Sequence, residues 1–457
     1  MNLIADIEQA LAEIPVLDAH THLVSGKLGA RGLHDILLYH MVISDLYAAG
    51  CPSGNRLTEF PGWPEKAECH ARIQEALPYL DRACNTSGMW GVRTILADLY
   101  DWHEPITEDN WRRLDDRVRE RADDRAFHHS VLDRMKVGRT CAEYARRGEG
   151  TDDDRLQYSM ECGMFMRTQW GEFDTPLYDL ERTWGRQPES PAPVKAVREP
   201  TDRTIHSLDE VHAAIRHYVS AIPYGNLIST AMGLSTDIDY TVPTDDQMAE
   251  AIRNRAGAGP RERDIYAAYI GEHFFTELEK HGHEIVFQFS TGAEPLPFET
   301  ASRLSQKTIG QFGEIFGRHP GLRFQCFNGS KHANQSLCTI ARELPNFSLA
   351  GYWWHNFFPQ SIRHIMAERL DMLPVNKQIG FFSDAYVVEW AYAKLVIVRK
   401  QLARVLAEKI GQGQYSLDDA LGIARSILYE TPQAFGMKAR EEAEEPKTRD
   451  PGVMIDD

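Results

Sequence analysis

From about residue 205 onward, short apolar runs alternate with longer stretches in which apolar positions recur every third or fourth residue. Helical spacing over 207–219 leads into NLISTAM (226–232), and spacing over 263–281 leads into EIVFQFS (284–290). Helical stretches 299–317, 332–343 and 360–372 lead in turn into LRFQCFN (322–328), FSLAGYWW (347–354) and QIGFFSD (378–384). A long helix is predicted over 385–409. Three- and four-residue spacing marks a helix with one buried face, whereas a short continuous apolar run marks a strand covered on both sides. With PVLDAH (15–20) and ECGMFMRT (161–168), the pattern predicts about seven strands. Strands alternating with helices predict an α/β fold on a parallel sheet. So many repeats favour a closed (β/α)8 TIM barrel, with one strand still unplaced.

The first third reads differently. Segments 34–49, 64–83, 88–102, 107–123 and 125–146 carry helical spacing, broken by CPSGN, PGWP and EPITEDN. They predict a helical insertion over about 30–150, seated on one end of the scaffold. Residues 183–204 are Pro-rich and charged and read as a surface loop, and 239–262 read as a second excursion. A chain of 457 residues would ordinarily suggest several domains, but barrels with insertions can exceed about 400 residues. The expectation is one domain over 1–436, followed by a charged tail, 437–457.

Charge narrows the partners. A formal net charge of −17 repels a phosphate backbone, and no basic run offsets it, so nucleic acid is not an expected partner. Seven scattered cysteines without a CxxC pair fit reduced thiols better than a disulfide framework. The acidic opening MNLIADIEQALAEIP is no signal peptide, and no apolar run approaches the roughly 18 residues of a membrane span. A cytoplasmic protein without membrane contact is expected.

His20 and His22 stand just past the carboxyl end of the first strand, where a βα barrel places its chemistry. Spacing of i, i+2 on extended chain puts both imidazoles on one side. Asp384 ends the last predicted strand, which neighbours the first in a closed barrel. Two neutral imidazoles and a carboxylate make a three-ligand cation site with an open position. Asp18, two residues before His20, is placed to fix an imidazole tautomer. A second HxH, His281 and His283, precedes its strand and falls at the opposite end.

LDAHTHL together with GFFSDAY resembles the metal-dependent amidohydrolase superfamily, and within it the uronate (glucuronate) isomerases. GLHDILLYHMVISDLYAAG (32–50) is similar to that family's helix bearing an active-site histidine, here His40; FQFSTGA and YWWHN are similar to two of its strand ends. The resemblance implies a (β/α)8 fold and one divalent cation on His20, His22 and Asp384, zinc first, with manganese or iron as alternatives. It also implies a homo-oligomer and a small, carbohydrate-derived substrate. The implied reaction is aldose–ketose isomerisation of a sugar acid or related α-hydroxy carbonyl through a metal-stabilised enediolate, with Asp384 and His40 moving protons.

The departures concern the acid clamp. The family's D-S-R arginine is replaced by Tyr386, its T-x-R-P-D arginine falls in Thr230-Ala231-Met232-Gly233-Leu234, Met41 stands for a tyrosine, and Ser290 for a histidine. Methionine cannot hold a carboxylate as arginine does. Arg167, Trp354, His355, Tyr386 and Ser290 are the candidate substrate contacts, and Trp353 is a core residue or pocket wall. Arg82 or Arg93 from the insertion would restore the clamp. The alternative reading is a hydrolase or lyase of the same superfamily acting on a less acidic substrate; a non-catalytic binding module is a third.

Overall fold

The computed structural model describes residues 2–52, 66–143, 153–160, 172–184, 201–222, 227–228, 232–233, 238–282, 284–292, 304–354 and 357–437. Every ladder in it is parallel. Strands β1 (Val16–Thr21), β2 (Val137–Glu143) and β3 (Leu156–Ser159) pair in that order. A second sheet comprises β4 (Leu227–Ile228), β5 (Met232–Gly233), β6 (Ile285–Thr291), β7 (Arg323–Asn328), β8 (Phe347–Ala350) and β9 (Gln378–Ile379). Its order is β4-β6-β7-β8-β9, with β5 also on β6. Among the described residues no ladder joins β3 to β4.

β2 is a strand that the pattern did not predict. Its residues fall within the predicted helix 125–146, but that helix runs only Arg125–Arg134. Lys136 then turns at φ 58°, and Val137 comes into register with Val16 of β1. The predicted strand 161–168 lies outside the described residues; β3 precedes it. The excursion at 239–262 contains a helix, Asp245–Arg253, capped by Thr244 with Gln247 in a reciprocal box. Helix 34–49 is interrupted, giving Leu33–Leu37 and His40–Ala48 around an extended Tyr39.

Alternation along the strands separates two interiors. Phe287 and Phe289 of β6, Phe324 and Cys326 of β7, and Phe347 and Leu349 of β8 pack with Phe274, Phe312 and Phe316 of the surrounding helices. Residues of opposite parity face the other way. Phe327 and Ala350 join Ala19, Ile379 and Phe382 in a separate small cluster, against which Trp353 packs. Gln288 shares that parity, and its amide donates to the Ala19 carbonyl of β1 at 3.0 Å and to Gln325 Oε1 at 3.0 Å. Thus β6 reaches β1 across the space between the sheets.

Chain beyond β9 returns to β1. The Asp384 N–H donates to the His20 carbonyl at 3.0 Å, and the His22 N–H to the Ala385 carbonyl at 2.9 Å. The 24-residue helix Val388–Gly411 follows at once, packed on helices Leu3–Glu13, Ser87–Tyr100, Arg125–Arg134 and Pro359–Met372. Among the described residues, no helix is long and apolar enough to cross a membrane.

Candidate metal centre

His20 and His22 leave the end of β1 towards Asp384, which follows β9. His22 Nε2 lies 3.1 Å and His20 Nε2 3.6 Å from the same oxygen, Asp384 Oδ1. The two imidazole rings meet edge to face at 4.9 Å. Ligand atoms about 2.1 Å from a tetrahedral ion are about 3.4 Å apart, so two imidazoles and a carboxylate at these separations fit a divalent cation. A second group of possible ligands among the described residues, His129, Asp153 and Asp154, has Arg125 within 3.2 Å of Asp153. That guanidinium already supplies the positive charge there.

Asp384 is nearly buried, which by itself pushes its carboxyl pKa up. Hydrogen bonds from His20 and His22, together with the charge of Lys394, outweigh burial and hold it well below the usual carboxylate range. Its backbone is left-handed, φ 48°, and its carbonyl accepts from Tyr39 Oη at 2.8 Å and Lys394 Nζ at 3.1 Å. Neither donor was singled out from the sequence. A lysine in the apolar run WAYAKLVIV is the available signal, because lysine is rarely buried without a partner.

Asp18 does not act on an imidazole. Its carboxylate takes the Ser383 N–H at 2.7 Å, with a longer contact to the His20 N–H at 3.4 Å, so it ties β1 to the chain after β9. Burial raises its pKa against those hydrogen bonds.

Aromatic rings wall the same region. Tyr386 stacks on His22 at 4.7 Å and 15°, so the position of the expected arginine holds a ring lying flat on a candidate ligand. His40, first residue of its helix, lies 6.0 Å from Tyr386 and stacks on Trp354 at 5.4 Å and 7°. Trp354 adopts a left-handed backbone, φ 49°, beyond the early end of β8 at Ala350. Ser290 is next to last in β6, in register with Phe327, whose ring lies 5.3 Å from that of His20. Arg167 and His355 lie outside the described residues, as does His283. His281 follows its helix before β6, with Nδ1 on the Glu277 carbonyl at 3.0 Å, away from the carboxyl strand ends. Arg82 and Arg93 do not arrive at the centre. They donate to the carbonyls of Ala49 and Cys84 among the helices between β1 and β2. Met41 packs against the core.

Compared as a sequence, the chain matches no protein-family model and no curated protein. Compared as a fold, it resembles solved uronate isomerases. Glucuronate isomerase from Caulobacter crescentus superposes with a TM-score of 0.72 over 99% of this chain and 96% of that one, at 13% identity. Uronate isomerase from Thermotoga maritima gives 0.69 over 95% and 97%, at 14% identity. A provisionally assigned metal-dependent hydrolase from Lactobacillus casei gives 0.53 over 96% and 99%, at 12% identity. At such identities the likeness establishes a shared fold. Function rests on the residues.

Proposed function

We propose that this chain is a metal-dependent enzyme of the uronate isomerase type, built as one (β/α)8 domain over 1–436. Its barrel would be closed where the chain after β9 meets β1 and where β3 approaches β4. His20, His22 and Asp384 would hold one divalent cation, zinc first, with manganese or iron as alternatives. The observation that carries this reading is the convergence of those three side chains, from opposite ends of the sequence, at the carboxyl ends of parallel strands.

When bound, the cation would polarise a carbonyl and favour its α-proton's departure. The chain's own groups do the rest. Asp384, kept ionised by its neighbours, is the acceptor for a proton leaving the carbon that bears the hydroxyl, and returns it to the former carbonyl carbon. His40, held flat against Trp354, donates a proton to the carbonyl oxygen and recovers one from the neighbouring hydroxyl oxygen, which becomes the new carbonyl. Trp354, Tyr386 and Ser290 would line the pocket, with Arg167 and His355 as further candidates. The test is metal analysis with turnover of glucuronate, galacturonate and related open-chain hydroxy aldehydes. One bound cation with isomerisation supports the reading, and a metal-loaded protein inert on the whole panel overturns it.

The stacking of Tyr386 on His22 favours a second reading, a hydrolase of a less acidic substrate, since a ring stands where a carboxylate clamp is expected. Turnover of lactones or esters in the absence of isomerisation would select it.

A further inference from the structure

Lys394 is buried, 2% exposed, within the apolar stretch WAYAKLVIV of its helix, and the proposed reaction gives it no proton to move. Its ammonium donates to the Asp384 carbonyl at 3.1 Å and lies 5.1 Å from the Tyr39 ring centre and 5.3 Å from that of Phe357. The Tyr39 hydroxyl donates to the same carbonyl at 2.8 Å. Tyr39 is itself fixed by stacking on Trp390 at 4.3 Å and 16°, and the Trp390 indole donates to the Ile36 carbonyl at 3.1 Å. Trp390 and Lys394 are four apart, one above the other on a single helix face. That face therefore holds the Asp384 carbonyl directly through Lys394 and backs its second donor, Tyr39, through Trp390.

The clamped unit is unusual. Asp384 is one of four non-glycine residues with positive φ among those described, a left-handed conformation that an L side chain keeps only where its surroundings impose it. In that conformation the carboxylate turns towards His20 and His22. We propose that Lys394 and Tyr39 are positioning residues for the metal ligand Asp384, holding its carbonyl so that its carboxylate is aimed before a cation arrives. This rests on the metal reading above. A buried ammonium close to a cation site has an opposite effect to weigh, since like charges repel. The hydrogen bond and the repulsion predict opposite outcomes on removal, which makes the role measurable.

The experiment titrates zinc(II) against a chromophoric chelator with wild-type protein, Tyr39→Phe, Lys394→Met and Asp384→Asn, with circular dichroism and thermal unfolding in parallel. Positioning predicts that Tyr39→Phe and Lys394→Met each weaken zinc binding about 10- to 100-fold with the fold retained, while Asp384→Asn weakens it further. Wild-type affinity in both variants overturns the proposal. So does tighter binding by Lys394→Met with Tyr39→Phe unchanged, which would make Lys394 only an opposing charge. Should Lys394→Met fail to fold, Tyr39→Phe, which removes a single hydroxyl, decides alone. Wild-type protein that takes up no zinc, manganese or iron(II) overturns the metal reading itself, and positioning with it. Metal uptake by wild type combined with indifferent variants overturns only positioning.

Discussion

His22 Nε2 lies 3.1 Å from Asp384 Oδ1, although 362 residues of chain separate them. Backbone geometry enforces the approach. Asp384 donates its N–H to the carbonyl of His20, while His22 donates its own to the carbonyl of Ala385. The Thr21 hydroxyl adds a hydrogen bond to Ala385 at 2.9 Å. Two imidazoles and a carboxylate are thus held by main-chain bonds rather than by flexible side-chain reach.

Asp384→Asn keeps the shape and removes the charge on which the proposed ligand role depends. Metal affinity should fall at least about 100-fold, more than loss of an outer partner costs, and turnover should vanish. Metal content after dialysis and a far-ultraviolet spectrum check this. Stoichiometric metal in the variant would remove Asp384 from the site.

Tyr386→Arg would place a guanidinium where the isomerase pattern expects one. A charge-assisted hydrogen bond contributes about 1.5–3 kcal/mol, so KM for glucuronate should fall about 10- to 100-fold. Steady-state kinetics on both proteins would show it. An unchanged KM would mean that a substrate carboxylate does not visit this wall.

Gly351 ends β8 at φ 44°, and a Cβ there would lie 2.3 Å from Phe382 Cδ1. Phe382 stacks on Phe327 at 4.2 Å and borders His20 at 6.0 Å, so it has little room to yield. Gly351→Ala combines left-handed strain with overpacking and should lose about 2–5 kcal/mol of stability. Denaturant unfolding measures the loss, and a wild-type midpoint would show that Phe382 repacks freely.

His34 is buried in the helix Leu33–Leu37, and burial, reinforced by Arg31 and Arg119 against Asp35, lowers its pKa from 6.5 to about 4. Unfolded chain therefore takes up this proton at a higher pH than folded protein does. The contribution is intact above pH 6.5 and is lost as pH falls towards 4, up to about 3 kcal/mol. His34→Gln should flatten stability across that window relative to wild type. Parallel slopes from denaturant curves at several pH values would contradict the assignment.

Periodicity made the helices and most strands of the second half legible, because each apolar face repeats along its own element. The same rule misplaced β2, whose Val137, Gly138 and Thr140 are weak signals against a continued helix; pairing with Val16 decides it. It also carried two strands too far. FSLAGYWW stops at Ala350, where Gly351 turns left-handed. QIGFFSD stops at Ile379, because the Gly380 N–H goes to the Ile427 carbonyl and the Asp384 N–H to His20.

Sequence by itself determined which side chains could carry chemistry: a pair of histidines at fixed spacing after one strand and an aspartate after another. These are properties of residue type and local backbone. Tertiary structure alone decided that Asp18 grips backbone rather than a ring, that Tyr386 lies flat on His22, and that Tyr39 and Lys394 meet at one carbonyl. Each of those contacts joins residues that local pattern does not link. Their partners are chosen by how helices and strands pack, and no periodicity along the chain records that choice.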